Sequence, residues 1–109
     1  MPHHIEPFVC NVIPERDHVI VAPRGELDMA TVGAVEQELR RLHKAGFRSI
    51  VLDLGGLTFM DSSGLHLVSR WVAEASRDGF EFVLEPGPPA VQRIFELAAV
   101  IDDLPFRSR

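Results

Sequence analysis

Four consecutive residues hold the chemistry this chain could carry: Asp61-Ser62-Ser63-Gly64. Two hydroxyls stand beside a carboxylate. Before them come an apolar run, Ile50 to Leu54, then Gly55-Gly56 and a short apolar segment, Leu57 to Met60. Directly after them an apolar pattern of helical spacing begins. The four residues therefore sit where a helix starts, beside its free backbone N–H groups, a place that can hold a negatively charged group. Asp, Ser and Gly are also ordinary at loop-to-helix boundaries, so plain capping is the competing reading.

Enzymatic readings fit poorly. A nucleophile elbow needs Gly-x-Ser-x-Gly. Around Ser62 the chain reads Met60-Asp61-Ser62-Ser63-Gly64, without the first glycine, and centred on Ser63 it lacks both. The last histidine is His66, so no base follows later in the chain. The nucleotide loop Gly-x-x-x-x-Gly-Lys-[Ser/Thr] is absent, and the only lysine is Lys44. Of the possible metal ligands, His3-His4 read as a solvated tail and His18 as a strand-edge residue. His43 and His66 read as surface residues of helices, and Trp71 as core. Cys10 is the only cysteine, which excludes an intramolecular disulfide and a zinc site of several cysteines. No cofactor and no metal are expected.

Composition narrows the partners. A chain of 109 residues fits one domain, with residues 1–5 expected as a flexible tail. Apolar content of 46% and charged content of 25% are ordinary for a soluble globular protein. The net charge of -5 argues against nucleic acid, which favours a basic patch. The densest basic group, Arg40, Arg41, His43 and Lys44, lies late in a predicted helix, where cations complement the helix dipole. The N-terminus lacks the basic start and long apolar core of a signal peptide, and no apolar run is long enough to span a bilayer. A cytoplasmic protein without a membrane partner is expected.

The elements that must position the Asp-Ser-Ser-Gly knot follow from periodicity. Phe8 to Ile13 and His18 to Ala22 are β-rich and flank a turn candidate at Pro14 to Asp17, which predicts an antiparallel hairpin. Pro23 is expected to end the second strand's pairing. Asp28 is the predicted N-cap of a helix whose Val32, Val35, Leu39 and Leu42 share one face. Glu36 and Arg40 should pair on its outside, and Gly46 should stop it. Ser49 to Leu54 is apolar at nearly every position, as in an internal parallel strand. A second helix is predicted from about Ser62 to Arg77, burying Leu65, Val68, Val72 and Ala75, with Leu67 and Trp71 widening the face. A strand at Phe80 to Leu84 and a third helix after Pro88-Pro89 follow, the latter with Val91, Ile94, Phe95, Ala98 and Ile101 on its apolar face. Asp102 to Arg109 reads as a short strand or ordered tail. The order β-β-α-β-α-β-α implies right-handed parallel crossovers and a mixed sheet.

Three stretches resemble the STAS domain, and within it the bacterial anti-sigma factor antagonists. These are Gly25-Glu26-Leu27-Asp28; Ile50 to Leu54 followed by Leu57-Thr58-Phe59-Met60-Asp61-Ser62-Ser63-Gly64-Leu65; and the late helix Val91 to Leu97. The resemblance spans roughly residues 6 to 107. It implies an α/β STAS fold, a mixed β-sheet with helices packed mainly on one face. It also implies a protein that is no enzyme but the substrate of one. Such an antagonist, unphosphorylated, binds an anti-sigma factor that is also a serine kinase, and so frees a sigma factor. The kinase then phosphorylates the serine after the Asp of the motif, here Ser62, and a serine/threonine phosphatase of the metal-dependent class reverses this. Asp28, Asp61, Ser62, Ser63 and Gly64 are the expected partner-binding residues. Other STAS domains act without phosphorylation, as adaptor subunits of lipid-transport or signalling complexes, and this is the alternative.

Overall fold

The computed structural model describes residues 7–108. The expected tail at residues 1–5 lies outside that range, as do Glu6 and Arg109. The hairpin is present as β1 (Val9–Pro14) and β2 (Val19–Leu27), paired antiparallel. The first helix, α1 (Val32–Lys44), is followed by β3 (Ser49–Asp53) and β4 (Leu57–Met60). Then come α2 (Ser62–Asp78), β5 (Glu81–Glu85), α3 (Pro89–Leu97) and a 3-10 turn at Ile101–Asp103. The sheet is mixed, in the order β1-β2-β3-β5, with β4 joined to β2 off this path.

Alternation along the strands puts one core on one face. Val19, Val21 and Leu27 of β2, Ile50 and Leu52 of β3, and Phe82 and Leu84 of β5 are buried there. All three helices pack into the same cluster, through Val35, Leu39 and Leu42, through Leu67, Val68, Trp71 and Ala75, and through Val91 and Phe95. The other face carries the intervening residues. A cross-strand row, Ile13–Ile20–Val51–Val83, runs over it in register.

Several expectations need correction. Pro23 does not end the pairing of β2: it stands opposite Cys10, and β2 continues to Leu27. The N–H of Gly25 is bonded to the carbonyl of Gly56, away from β1. Two residues earlier, Pro23 has its nitrogen on that same side, between the last pair with β3, at Val21, and the first with β4, at Gly25. The missing N–H falls in a gap where no ladder bond is due. The strand β4 was not legible as one, since four residues show no period. The helix α3 stops at Leu97, and Ala99 with φ 58 turns the chain, so Ala98 is exposed and Ile101 belongs to the 3-10 turn. Beyond it Phe106 makes a single parallel bridge to Leu84 and packs edge-on against Phe95.

The Glu36–Arg40 pair forms at 2.9 Å, yet it is no isolated surface pair. Glu36 also accepts from Arg70 Nη2 at 3.0 Å and from Trp71 Nε1 at 3.2 Å. Arg40 lies 4.5 Å over the Trp71 ring and pairs with Glu74. This polar seam joins α1 to α2 and satisfies the donor of the largest buried side chain. Burial pushes the Glu36 carboxyl up, but the bonds from Arg70, Trp71 and Arg40 outweigh it and hold it below the usual carboxylate range. His43 is part of the same seam, half-buried with its ring 4.5 Å from that of Phe80, and not the plain surface residue expected. Burial pushes the Cys10 thiol up to about 11, so it stays protonated at neutral pH.

Trp71→Ala is expected to cost about 3–5 kcal/mol of unfolding free energy, read from denaturant titration. Because the folded pKa of Glu36 is depressed, its contribution is full above the unfolded value and is lost as pH falls through the folded one. Glu36→Gln should therefore flatten the acid side of the stability–pH curve relative to the parent chain.

Candidate functional site

The site is built where β2 and β4 end side by side. Leu27 pairs with Met60, and the Asp61 N–H donates to the Leu27 carbonyl at 3.2 Å. Asp28 and Asp61 are therefore the first residues beyond two adjacent strand ends.

Asp28 acts earlier than predicted. The helix α1 starts at Val32 with Thr31 as its N-cap, and the Asp28 carboxylate serves the turn that leads into it. Its Oδ1 accepts from the N–H groups of Ala30 at 2.9 Å and Thr31 at 3.2 Å. Thr31 returns the bond: its Oγ1 accepts from the Asp28 N–H at 2.9 Å and donates to the Glu26 carbonyl at 2.7 Å. The reciprocal arrangement fixes Asp28 half-buried, while Met29 beside it is 83% exposed.

Asp61 is the N-cap of α2. Its Oδ1 accepts from the Ser63 N–H at 2.8 Å. Its carbonyl accepts from Gly64 at 3.1 Å and Leu65 at 3.3 Å. The donors of the first turn, open to an anion on the sequence reading, are thus taken by Asp61 itself. Only the amide of Ser62 is outside this set. The two serines separate here: Ser62 is exposed, and Ser63 is half-buried with its N–H engaged.

Gly64 is buried, so it shapes the surface from beneath. A Cβ there would lie 2.4 Å from Met60 Cγ and 2.8 Å from its Sδ. The start of α2 rests directly on β4 because residue 64 has no side chain.

Chemically, the knot offers an accessible hydroxyl without activation. Among the described residues no histidine or carboxylate is hydrogen-bonded to the hydroxyl of Ser62 or Ser63, and His66 is exposed one turn along α2. Among the described residues neither Asp28 nor Asp61 forms an ion pair, so two unpaired carboxylates flank the start of the two helices. The trio whose metal-ligating atoms come within 4.8 Å, His43, Glu74 and Asp78, lies elsewhere, and Arg40 and Arg77 already pair with its carboxylates. His18 is bonded to Asp17 at 2.9 Å. Among the described residues no helix is long and apolar enough to cross a membrane.

Comparison with known proteins bears on the family and the fold. The STAS domain model matches residues 11–109. An anti-sigma-B factor antagonist of Staphylococcus aureus is 30% identical over 78 residues, covering 72% of each chain. The fold is similar to the crystal structure of an anti-sigma factor antagonist from Mycobacterium paratuberculosis, with TM-score 0.82 at 23% identity over 92% of this chain and 85% of that one. It is also similar to the Bacillus cell fate determinant SpoIIAA in its phosphorylated form, with TM-score 0.70 at 21% identity over 94% and 91%.

Gly64→Ala is expected to destabilise the fold by about 1–3 kcal/mol, because Met60 and the start of α2 must part. Asp61→Ala should cost about 1 kcal/mol through the lost cap. Ser62→Ala, at an exposed position outside the cap, should stay within about 0.5 kcal/mol of the parent in the same thermal or denaturant melts.

Proposed function

The chain belongs to the STAS domain family, and we propose that it is an anti-sigma factor antagonist switched by phosphorylation of Ser62. Unphosphorylated, it binds an anti-sigma factor that is a serine kinase, and a sigma factor is released. The surface presented is the exposed Ser62 with the half-buried Asp28, Asp61 and Ser63 around it, and Gly64 holds α2 close beneath. The kinase transfers a phosphoryl group to the Ser62 hydroxyl, and a phosphatase of the metal-dependent serine/threonine class removes it. Both partners act in the cytoplasm, where ATP is available.

The observation that carries this reading is the division of labour in the knot. Asp61 caps the helix, Ser63 is tied to that cap, and Ser62 alone is left exposed with a hydroxyl that no neighbouring base activates. Such a hydroxyl suits an external enzyme that brings its own base. Phosphate adds about -1.5 to -2 charges at neutral pH. Next to Asp61 it adds like charge, and each pair of like charges about 4 Å apart costs about 1 kcal/mol in water and about 4 kcal/mol at a partly dried interface. The partner would have to dry and cover this charge. A tenfold loss of affinity needs only about 1.4 kcal/mol.

The test is to incubate the protein with its genome-neighbouring anti-sigma kinase and ATP and to locate phosphate by mass spectrometry. One phosphate on Ser62, absent in Ser62→Ala, is expected. Ser62→Glu should bind the kinase at least about tenfold more weakly than the parent chain. A stable complex that never acquires phosphate would instead mark a constitutive adaptor.

A further inference from the structure

Among the described residues β1 is an open edge of the sheet. The hydrogen-bonding groups it leaves open can be assigned. Gly25 turns its N–H away from β1, toward Gly56, so alternation turns Ile20, Ala22 and Arg24 toward β1. Their partners Ile13, Asn11 and Val9 spend their backbone groups on β2. Cys10 and Val12, between them, direct N–H and C=O to the open side.

Natural edge strands are blunted by charge, proline, a bulge or a covering element. From Val9 to Ile13 this strand has no charge and no proline, and its pairing with β2 has no register shift. Its outward side chains include Val9 and Ile13, 44% and 43% exposed. The segment Val-Cys-Asn-Val-Ile also reads nearly alike in both directions about Asn11.

We propose that β1 is a dimerisation edge, pairing antiparallel with β1 of a second copy about a two-fold axis at Asn11. In that register Cys10 faces Val12 of the other copy, and each pair exchanges both backbone bonds. Val9 faces Ile13, and Asn11 faces its own equivalent as a closely spaced pair without backbone bonds. Shifting the axis to Cys10 would set Val9 against Asn11. Shifting it to Val12 would set Cys10 against Pro14, which has no N–H. The Asn11 register alone matches apolar with apolar and satisfies Cys10 and Val12 fully. It also extends the row Ile13–Ile20–Val51–Val83 onto Val9 of the second copy.

The area is that of one strand pair, below the about 1,200 Å² of a standard interface, so the dimer is weak, with Kd on the order of 10–100 µM. Both copies carry a net charge of -5 while β1 itself is uncharged, so screening by salt should tighten the dimer. The Ser62 knot lies on the β4 side of β2, away from this edge, so both acceptor hydroxyls stay open in the dimer.

Sedimentation equilibrium of the unmodified chain should show a concentration-dependent dimer that strengthens with salt. Single cysteines placed in a Cys10→Ser background then read the register. Asn11→Cys should cross-link to itself under mild oxidation, since the facing Cα atoms of a pair without backbone bonds would be about 4.5 Å apart, within the disulfide range. Val9→Cys and Ile13→Cys should not cross-link alone but should do so when mixed. A monomer throughout the accessible concentrations, or equal cross-linking at all three positions, overturns the proposal.

Discussion

The site depends on the place where β2 changes partners. The strand pairs with β3 up to Val21 and with β4 from Gly25, with a register shift between Gly25 and Glu26. That change lets a short strand, Leu57–Met60, finish level with the end of β2, so that two loops leave the sheet together. The residues at the junction are those the change demands. Pro23 has no N–H where no partner is due. Gly25 has φ 106, a conformation that disfavours side chains, with Phe8 close by. A Cβ on Gly56 would come within 2.9 Å of the Arg24 side chain and 3.2 Å of the Pro23 carbonyl. Were β2 to stop at Pro23, Asp28 and Asp61 would not meet.

On this frame the knot separates structure from signal within four residues. Asp61 and Gly64 face inward in function: one closes the helix, the other admits it to the sheet. Ser62 faces outward and holds nothing together. Beyond the amide of Ser62, the donors of the helix start are therefore taken before any modification arrives. A phosphate adds charge to a surface and takes no bond from the core. This is how a small domain can be switched for a partner without being remodelled.

Much of this was legible in the sequence, and the failures have physical causes. The helices α1 and α2 show through their apolar spacing, and Gly46 and Gly79 end them in left-handed conformations. The buried row of β3 shows through its unbroken apolar run. The strand β4 did not show, because its identity comes from pairing with β2 and not from any pattern of its own. The Glu36–Arg40 spacing gave a helix-surface pair, but its bonds to Arg70, Trp71 and Glu74 cross to another helix and leave no periodic trace. In the knot, residue types gave a helix start and family resemblance chose Ser62. The burial that sets Ser62 apart from Ser63 belongs to the folded chain. A helix cap by Asp61 was available from the residue types, since Asp caps as well as Ser and here precedes both serines.

On the proposed reading, a phosphate on Ser62 charges the surface while the fold beneath stays fixed. Amide hydrogen exchange, compared residue by residue between the unmodified and the Ser62-phosphorylated protein, tests it most directly. Changes confined to the knot and the facing turn at residues 28–31, with protection across β2, β4 and the body of α2 unaltered, are predicted. Loss of protection in β4 or along α2 would show that the phosphate acts by opening the fold, and would contradict the account.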